Sequence, residues 1–142
     1  MIILDTDHIS ILQRTPSAAA YRLTERLDEA FDEDIRTTII TAEEQFRSWL
    51  DCIRESKAPS DEVRPYSRFA AMISFYRDWD VLLFDENAVA HFQRLRQLKI
   101  RIGTMDLKIA SIALANDATL LTSNRRDFER VPALKFEDWV HG

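Results

Sequence analysis

Three places in this sequence put a carboxylate where chemistry could be done with it: Asp5, the pair Glu43 and Glu44, and Asp106. No histidine or cysteine stands at zinc-ligand spacing, and His8, which follows the first acids, has no such partner. Carboxylates gathered at one point raise each other's pKa, so a cluster is unfavourable unless a cation sits among them. An all-oxygen ligand set suits a hard divalent ion, magnesium or manganese. Such an ion can lower the pKa of a bound water, orient it for in-line attack on a phosphodiester, and offset charge on the leaving oxygen. Each acid also has a local explanation. Asp5 would cap a helix beginning near Asp7. Thr41-Ala-Glu-Glu44 matches the S/T-x-x-E capping box. Asp106 sits in a first helical turn, where negative charge favours the macrodipole.

The surrounding elements decide whether these acids can meet. Ile2-Ile3-Leu4 is a short apolar run ending in Asp5, the pattern of a buried strand. Apolar positions at helical spacing run from about Ser17 to Asp32, and Arg36 to Ile40 reads as a second strand. Thr41 opens a long helix through about Ser56, with Phe46, Trp49, Leu50 and Ile53 on one face. A further helix, interrupted near Pro65, carries Phe69, Met72, Ile73, Tyr76 and Trp79. Val81 to Phe84 is a third strand, and Ala88 to Leu98 a helix. Gly103-Thr104 breaks the chain before a helix from about Met105 to Asn116. Thr119 to Thr122 is a fourth strand, and Leu134 to Phe136 a fifth at an edge. Strands alternating with helices predict an α/β fold, its mainly parallel sheet covered on both faces. Sites in such sheets form at the carboxyl ends of the strands, where all three acidic positions fall.

The chain of 142 residues with 46% hydrophobic content predicts one domain over residues 1–142. Gly occurs twice and Pro four times, which leaves no flexible linker and no glycine-rich phosphate loop. No apolar stretch approaches a membrane span and no leader pattern precedes Asp5, so a cytoplasmic protein is expected. The lone Cys52, beside Trp49 and Ile53 in a helical pattern, is expected to pack. A net charge of −5 argues against nucleic-acid binding by bulk electrostatics. The stretch from Arg94 to Arg130 is nevertheless locally basic, while the acidic run Asp28 to Asp34 reads as a solvated helix end.

Four stretches in order resemble the PIN-domain family, and within it the VapC-type toxins: Ile3-Leu-Asp-Thr-Asp7, Ile40-Thr-Ala-Glu-Glu44, Gly103-Thr-Met-Asp-Leu-Lys-Ile-Ala110, and Leu121-Thr-Ser-Asn-Arg-Arg-Asp-Phe-Glu-Arg130 with Glu137-Asp-Trp139. The resemblance implies a three-layer α/β/α sandwich and a magnesium-dependent ribonuclease. It implies Asp5, Glu44 and Asp106 as the metal-binding catalytic acids, with Glu44 preferred because the family's glutamate stands three residues beyond the threonine of I-T-x-x-E. A fourth, often acidic, family position falls on Asn124, which can ligate but adds no charge; Asp127 would substitute for it or cap a short helix. Thr6 and Thr122 match polar positions near the site, and Asp7, more often Asn in the family, is not expected to be a ligand. Implied partners are an RNA substrate, a small antitoxin lying across the site, and a second copy, with the aromatics from Phe69 to Trp79 serving either that interface or the core. Arg94, Arg96, Lys99, Arg101, Arg125 and Arg126 are expected to contact RNA phosphates.

Two other readings compete. Asp5-Thr-Asp7 after an apolar strand also resembles the haloacid dehalogenase phosphatases, with Asp5 as nucleophile and Asp7 as acid/base. That superfamily's later acidic pair is missing around Asp106, and no lysine is clearly placed for the phosphate. A PIN-like domain that only binds a protein partner is the third, and the retained Asp5, Glu44 and Asp106 argue against it.

Overall fold

Ile2, Ile3 and Leu4 are all buried, as a parallel strand covered on both faces requires. In the computed structural model, which describes residues 1–14 and 16–141, they form β1 (Ile2–Leu4) at the centre of a five-stranded parallel sheet. The other strands are β2 (Ile35–Thr38), β3 (Val81–Leu82), β4 (Thr119–Leu121) and β5 (Lys135–Glu137), in the order β3-β2-β1-β4-β5. The helices are α1 (Thr6–Gln13), α2 (Ala18–Glu29), α3 (Ile39–Glu55), α4 (Val63–Arg77), α5 (Glu86–Gln97), α6 (Thr104–Ala115) and α7 (Arg125–Phe128), with a 3-10 turn Pro59–Glu62 before α4.

Alternation along β1 and β4 divides the core in two. Ile3 and Leu120 pack with Leu95, Ile109, Ile112 and Phe128 from α5, α6 and α7. Ile2, Leu4 and Leu121 pack with Ile9 of α1, Leu27 of α2, Phe75 and Tyr76 of α4, and Trp79. Each such buried side chain contributes about 1.5–3 kcal/mol. The result is the expected three-layer α/β/α sandwich. Crossovers from β1 through β3 move one way across the sheet and those to β4 and β5 move the other, so the order reverses at β1. A crevice opens at such a reversal, outside the carboxyl ends of the strands.

Two boundaries differ from the sequence reading for identifiable reasons. The Thr38 hydroxyl accepts the Thr41 backbone N–H at 3.1 Å, so Thr38 caps α3 and Ile39 and Ile40 belong to its first turn. Thr41 is therefore inside the helix, and the capping-box explanation of Glu44 does not hold. Pro65 lies in the first turn of α4, where no intrahelical partner for its nitrogen is needed, so it does not interrupt the helix. Cys52 is exposed on α3, against the expected packing role. Among the described residues, no helix is long and apolar enough to cross a membrane.

Candidate active site

Asp5 leaves β1 and caps α1 in the same step. Its backbone N–H donates to the Leu121 carbonyl at 2.9 Å, extending the β1–β4 pairing by one residue. One carboxylate oxygen, Oδ1, accepts the Thr6 N–H at 2.7 Å; the other, Oδ2, accepts the Thr122 hydroxyl at 2.7 Å. The capping explanation of Asp5 offered by the sequence is thus present, at the carboxyl end of β1. Thr122, fully buried at the end of β4, also accepts the Asn124 N–H at 3.1 Å, which ties the start of α7 to β1 through one hydroxyl.

Glu44 reaches the same crevice from the second turn of α3. Thr6 Oγ1 lies 3.2 Å from Glu44 Oε1 and 3.2 Å from Thr41 Oγ1, so the first turns of α1 and α3 are joined at the carboxylate. Glu43 points elsewhere and pairs with Arg47 on the exposed face. Asp106 occupies the first turn of α6, a helix whose Gly103 cap offers no side chain to its N–H groups. Asn124 caps α7 in position only. Its amide Nδ2 turns to the acids instead, donating to Asp106 Oδ2 at 3.3 Å and to Asp127 Oδ2 at 3.1 Å. Arg125 and Arg126 follow on the exposed first turn of α7. Arg94 and Arg96 lie in the last turn of α5, against the His91 ring nitrogen and the Phe92 ring respectively.

Asp7, which was not expected to be a ligand, lies near these acids. Its Oδ2 accepts the Ser123 N–H at 2.8 Å, and Thr122 Oγ1 is 3.4 Å away. Its Oδ1 is 2.7 Å from Nδ1 of the fully buried His8, whose Nε2 accepts the Trp139 N–H at 3.2 Å. That acceptance requires the Nδ1–H tautomer, so His8 donates to Asp7 and holds it in place. The spacing Asp5-x-Asp7 was the available signal. Nothing in the sequence alone tied Asp7 to Ser123 or to Trp139.

The electrostatics are one-signed. Burial, then the Asp7 charge, pushes the Asp5 carboxyl up to about 7, against the pull of its bonds from Thr122 and Thr6. Burial and the Asp106 charge raise Glu44, and burial with the Asp127 and Asp7 charges raises Asp106. Burial and Glu44 also raise the Tyr76 phenol, leaving it a neutral donor to Gln45. Among the described residues, Arg47 is the one cation that pulls on these acids, and it acts only on Glu44. Among the described residues, no three His, Cys, Asp or Glu side chains are already drawn together as a complete ligand set. His8 is committed at both ring nitrogens and so is not available as a ligand.

Comparison with known proteins places the chain. The PIN-domain family model matches residues 2–134. Ribonuclease VapC2 of Rickettsia felis is 49% identical over 45 residues, 32% of this chain and 34% of the relative. The tRNA(fMet)-specific endonuclease VapC of Salmonella typhimurium is 33% identical over 81 residues, 54% of this chain and 61% of the relative. Each match thus spans less than two thirds of the relative's length. Among solved structures, VapBC2 from Rickettsia felis bound to a DNA fragment from its promoter is similar with a TM-score of 0.73 at 27% identity, covering 98% of this chain and 99% of that one. VapBC-1 from nontypeable Haemophilus influenzae gives 0.71 at 26% identity, with 98% of both chains covered.

Proposed function

The chain belongs to the PIN-domain family, and from that premise we propose that it is a magnesium-dependent endoribonuclease, the toxin of a VapBC-type toxin–antitoxin pair, built as one PIN domain over residues 1–142. The observation that carries the reading is that Asp5 at the end of β1, Glu44 of α3 and Asp106 of α6 stand close enough, at the reversal of strand order, for the charge of Asp106 to raise the other two carboxyls. Asp5, Glu44 and Asp106 would hold Mg²⁺, with Mn²⁺ as an alternative and Asn124 able to add a neutral oxygen. When bound, the ion lowers the pKa of a water and offsets charge on the scissile phosphate. Thr6 and Thr122 keep Glu44 and Asp5 oriented by the bonds described above. Asp7 and Asp127 deepen the negative field that draws the ion, and Arg125 and Arg126 stand at the rim for the RNA backbone. The phosphatase alternative, which needed a different family, falls away.

VapBC complexes among the structural neighbours support an antitoxin partner. A second copy fits the apolar residues that α4 leaves in solvent, Val63, Tyr66 and Ile73, whereas Met72, Phe75 and Tyr76 serve the fold. A cytoplasmic location agrees with both partners.

The direct test is cleavage of RNA by the purified protein with excess Mg²⁺, with EDTA, and after magnesium is restored, because carboxylates alone provide no activated nucleophile. Cleavage should vanish in EDTA and return with magnesium or manganese. Restoration by zinc with no response to magnesium would contradict the site. Neutralising Arg125 and Arg126 together should weaken RNA binding and lower the steepness of its salt dependence by about 1.4 in log–log slope, as expected for two lost phosphate contacts on a single strand. An unchanged slope would remove both residues from the RNA path.

A further inference from the structure

Beside the acids lies a second concavity, a cleft of about 680 Å³ between α1, α3 and α4. Its lining includes Arg14, Arg64 and Arg68 and contains no carboxylate, in a chain whose net charge is −5. Among the described residues, none of these three arginines forms an ion pair, whereas Arg36, Arg47, Arg54 and Arg77 each pair with an acid. The aromatic wall is Trp49 and Phe75. Phe75 stacks on Trp79 with ring centroids 5.5 Å apart, while Trp49 has no ring partner among the described residues.

The cleft shares α1 and α3 with the acids. Ser10 lies one helical turn beyond Thr6, the residue bonded to Glu44, and Gln45 follows Glu44 directly. The floor is rigid: Gln13 and Gln45 exchange amide bonds of 3.0 and 2.8 Å, and Gln45 further bonds Ser10 at 3.1 Å and Tyr76 at 2.5 Å. A basic groove with a free aromatic face is the physical footprint of single-stranded nucleic-acid binding, where phosphates meet arginines and bases stack. The volume lies within the ~300–1,000 Å³ range that takes a nucleoside-sized group.

We propose that the RNA strand flanking the scissile phosphate lies in this cleft, its phosphates against Arg14, Arg64 and Arg68 and a base against Trp49. This rests on the ribonuclease reading and adds the path of the substrate, which then runs from Arg125 and Arg126 across the acids and over α1. The charge of the lining favours a polyanion over a peptide.

The test is anisotropy titration of a fluorescein-labelled single-stranded RNA, in EDTA over a range of salt, with RNA cleavage measured in magnesium alongside. Arg64→Ala with Arg68→Ala should raise Kd at least ~10-fold and reduce the log–log salt slope by about 1.4, with Tm unchanged. Arg64→Lys with Arg68→Lys should restore the slope. Trp49→Ala should raise Kd ~5-fold to ~100-fold with the slope unchanged, as for a lost stack. Lys135→Ala, a single charge removed where β5 begins, serves as the comparison for bulk charge. Unchanged Kd and slope in the double arginine variant, with wild-type protein cleaving RNA normally, overturns the proposal and leaves the ribonuclease reading standing. The same result with loss of a tightly held protein partner assigns the cleft to that partner instead. A wild-type chain that neither binds nor cleaves RNA overturns both.

Discussion

RNA cleavage should fall more than ~100-fold in Asp106→Asn, Glu44→Gln and Asp5→Asn while each variant stays folded, because even outer partners of metal ligands cost 10- to 100-fold when removed. Each replacement keeps the shape of the side chain and deletes one negative charge. If the acids served only helix ends, the cost would be about 1 kcal/mol of stability or less, with activity intact. For Glu44 that alternative is already weak, since Thr38 caps α3. Glu43→Gln is the matched control. Its carboxylate pairs with Arg47 on the surface, and exposed pairs of this kind contribute about 0.3–0.5 kcal/mol, so it should be nearly silent. Cleavage and Tm measured on the four variants decide the matter. Full activity in Asp106→Asn removes that residue from the site, and a silent Glu44→Gln beside an inactive Glu43→Gln shows the glutamates reversed.

The second large effect is on stability rather than rate. Without metal, Asp5 should make the fold weaker as pH rises from about 4 to about 7. The unfolded carboxyl titrates at its ordinary 3.8 and the folded one at about 7, so between these values the folded state holds the extra proton. Raising pH then favours unfolding, and the loss is complete above the folded value; below 3.8 both states are protonated and nothing is lost. For a group only 5% exposed the total is on the order of 4 kcal/mol, with Glu44 and Asp106 raised in the same direction. Thermal melts in EDTA should show wild type losing stability over that range relative to Asp5→Asn, which should be the more stable protein at pH 8. Saturating magnesium should reverse the order by binding only the folded site. A wild type that matches Asp5→Asn at every pH in EDTA would show that the carboxyl is not strained by its surroundings.

The layout was legible wherever local pattern and burial agree. Ile2-Ile3-Leu4 followed by Asp5 announced both the central strand and the acid that ends it, and Gly103-Thr104 marked the start of the helix that carries Asp106. Thr41 misled because two threonines three residues apart can each cap, and only the bond from Thr41 N–H to Thr38 decides between them. The contacts of Asp7 were not legible because they depend on Ser123 and on His8, itself fixed by Trp139, contacts that close over more than a hundred residues. The arginines of the cleft were hidden for a different reason. Arg64 and Arg68 follow Asp61 and Glu62 in the more acidic part of the chain, so segment averages conceal them. In the fold they line the cleft, and neither Asp61 nor Glu62 does.

The bond from Thr122 to Asp5 spans 117 positions, and it bears on the order of synthesis. On the ribosome, β1 emerges early and waits for β4, the strand it pairs with on one side and the one that delivers Thr122. At ~5–20 residues per second that wait lasts several seconds or more. Throughout it, Asp5 has no Thr122, Asp106 has no Asn124, and the acids are strung along an unfinished chain. For the ribonuclease proposed above, the site that would cut RNA is therefore not assembled until Thr122 and Asn124 have been made.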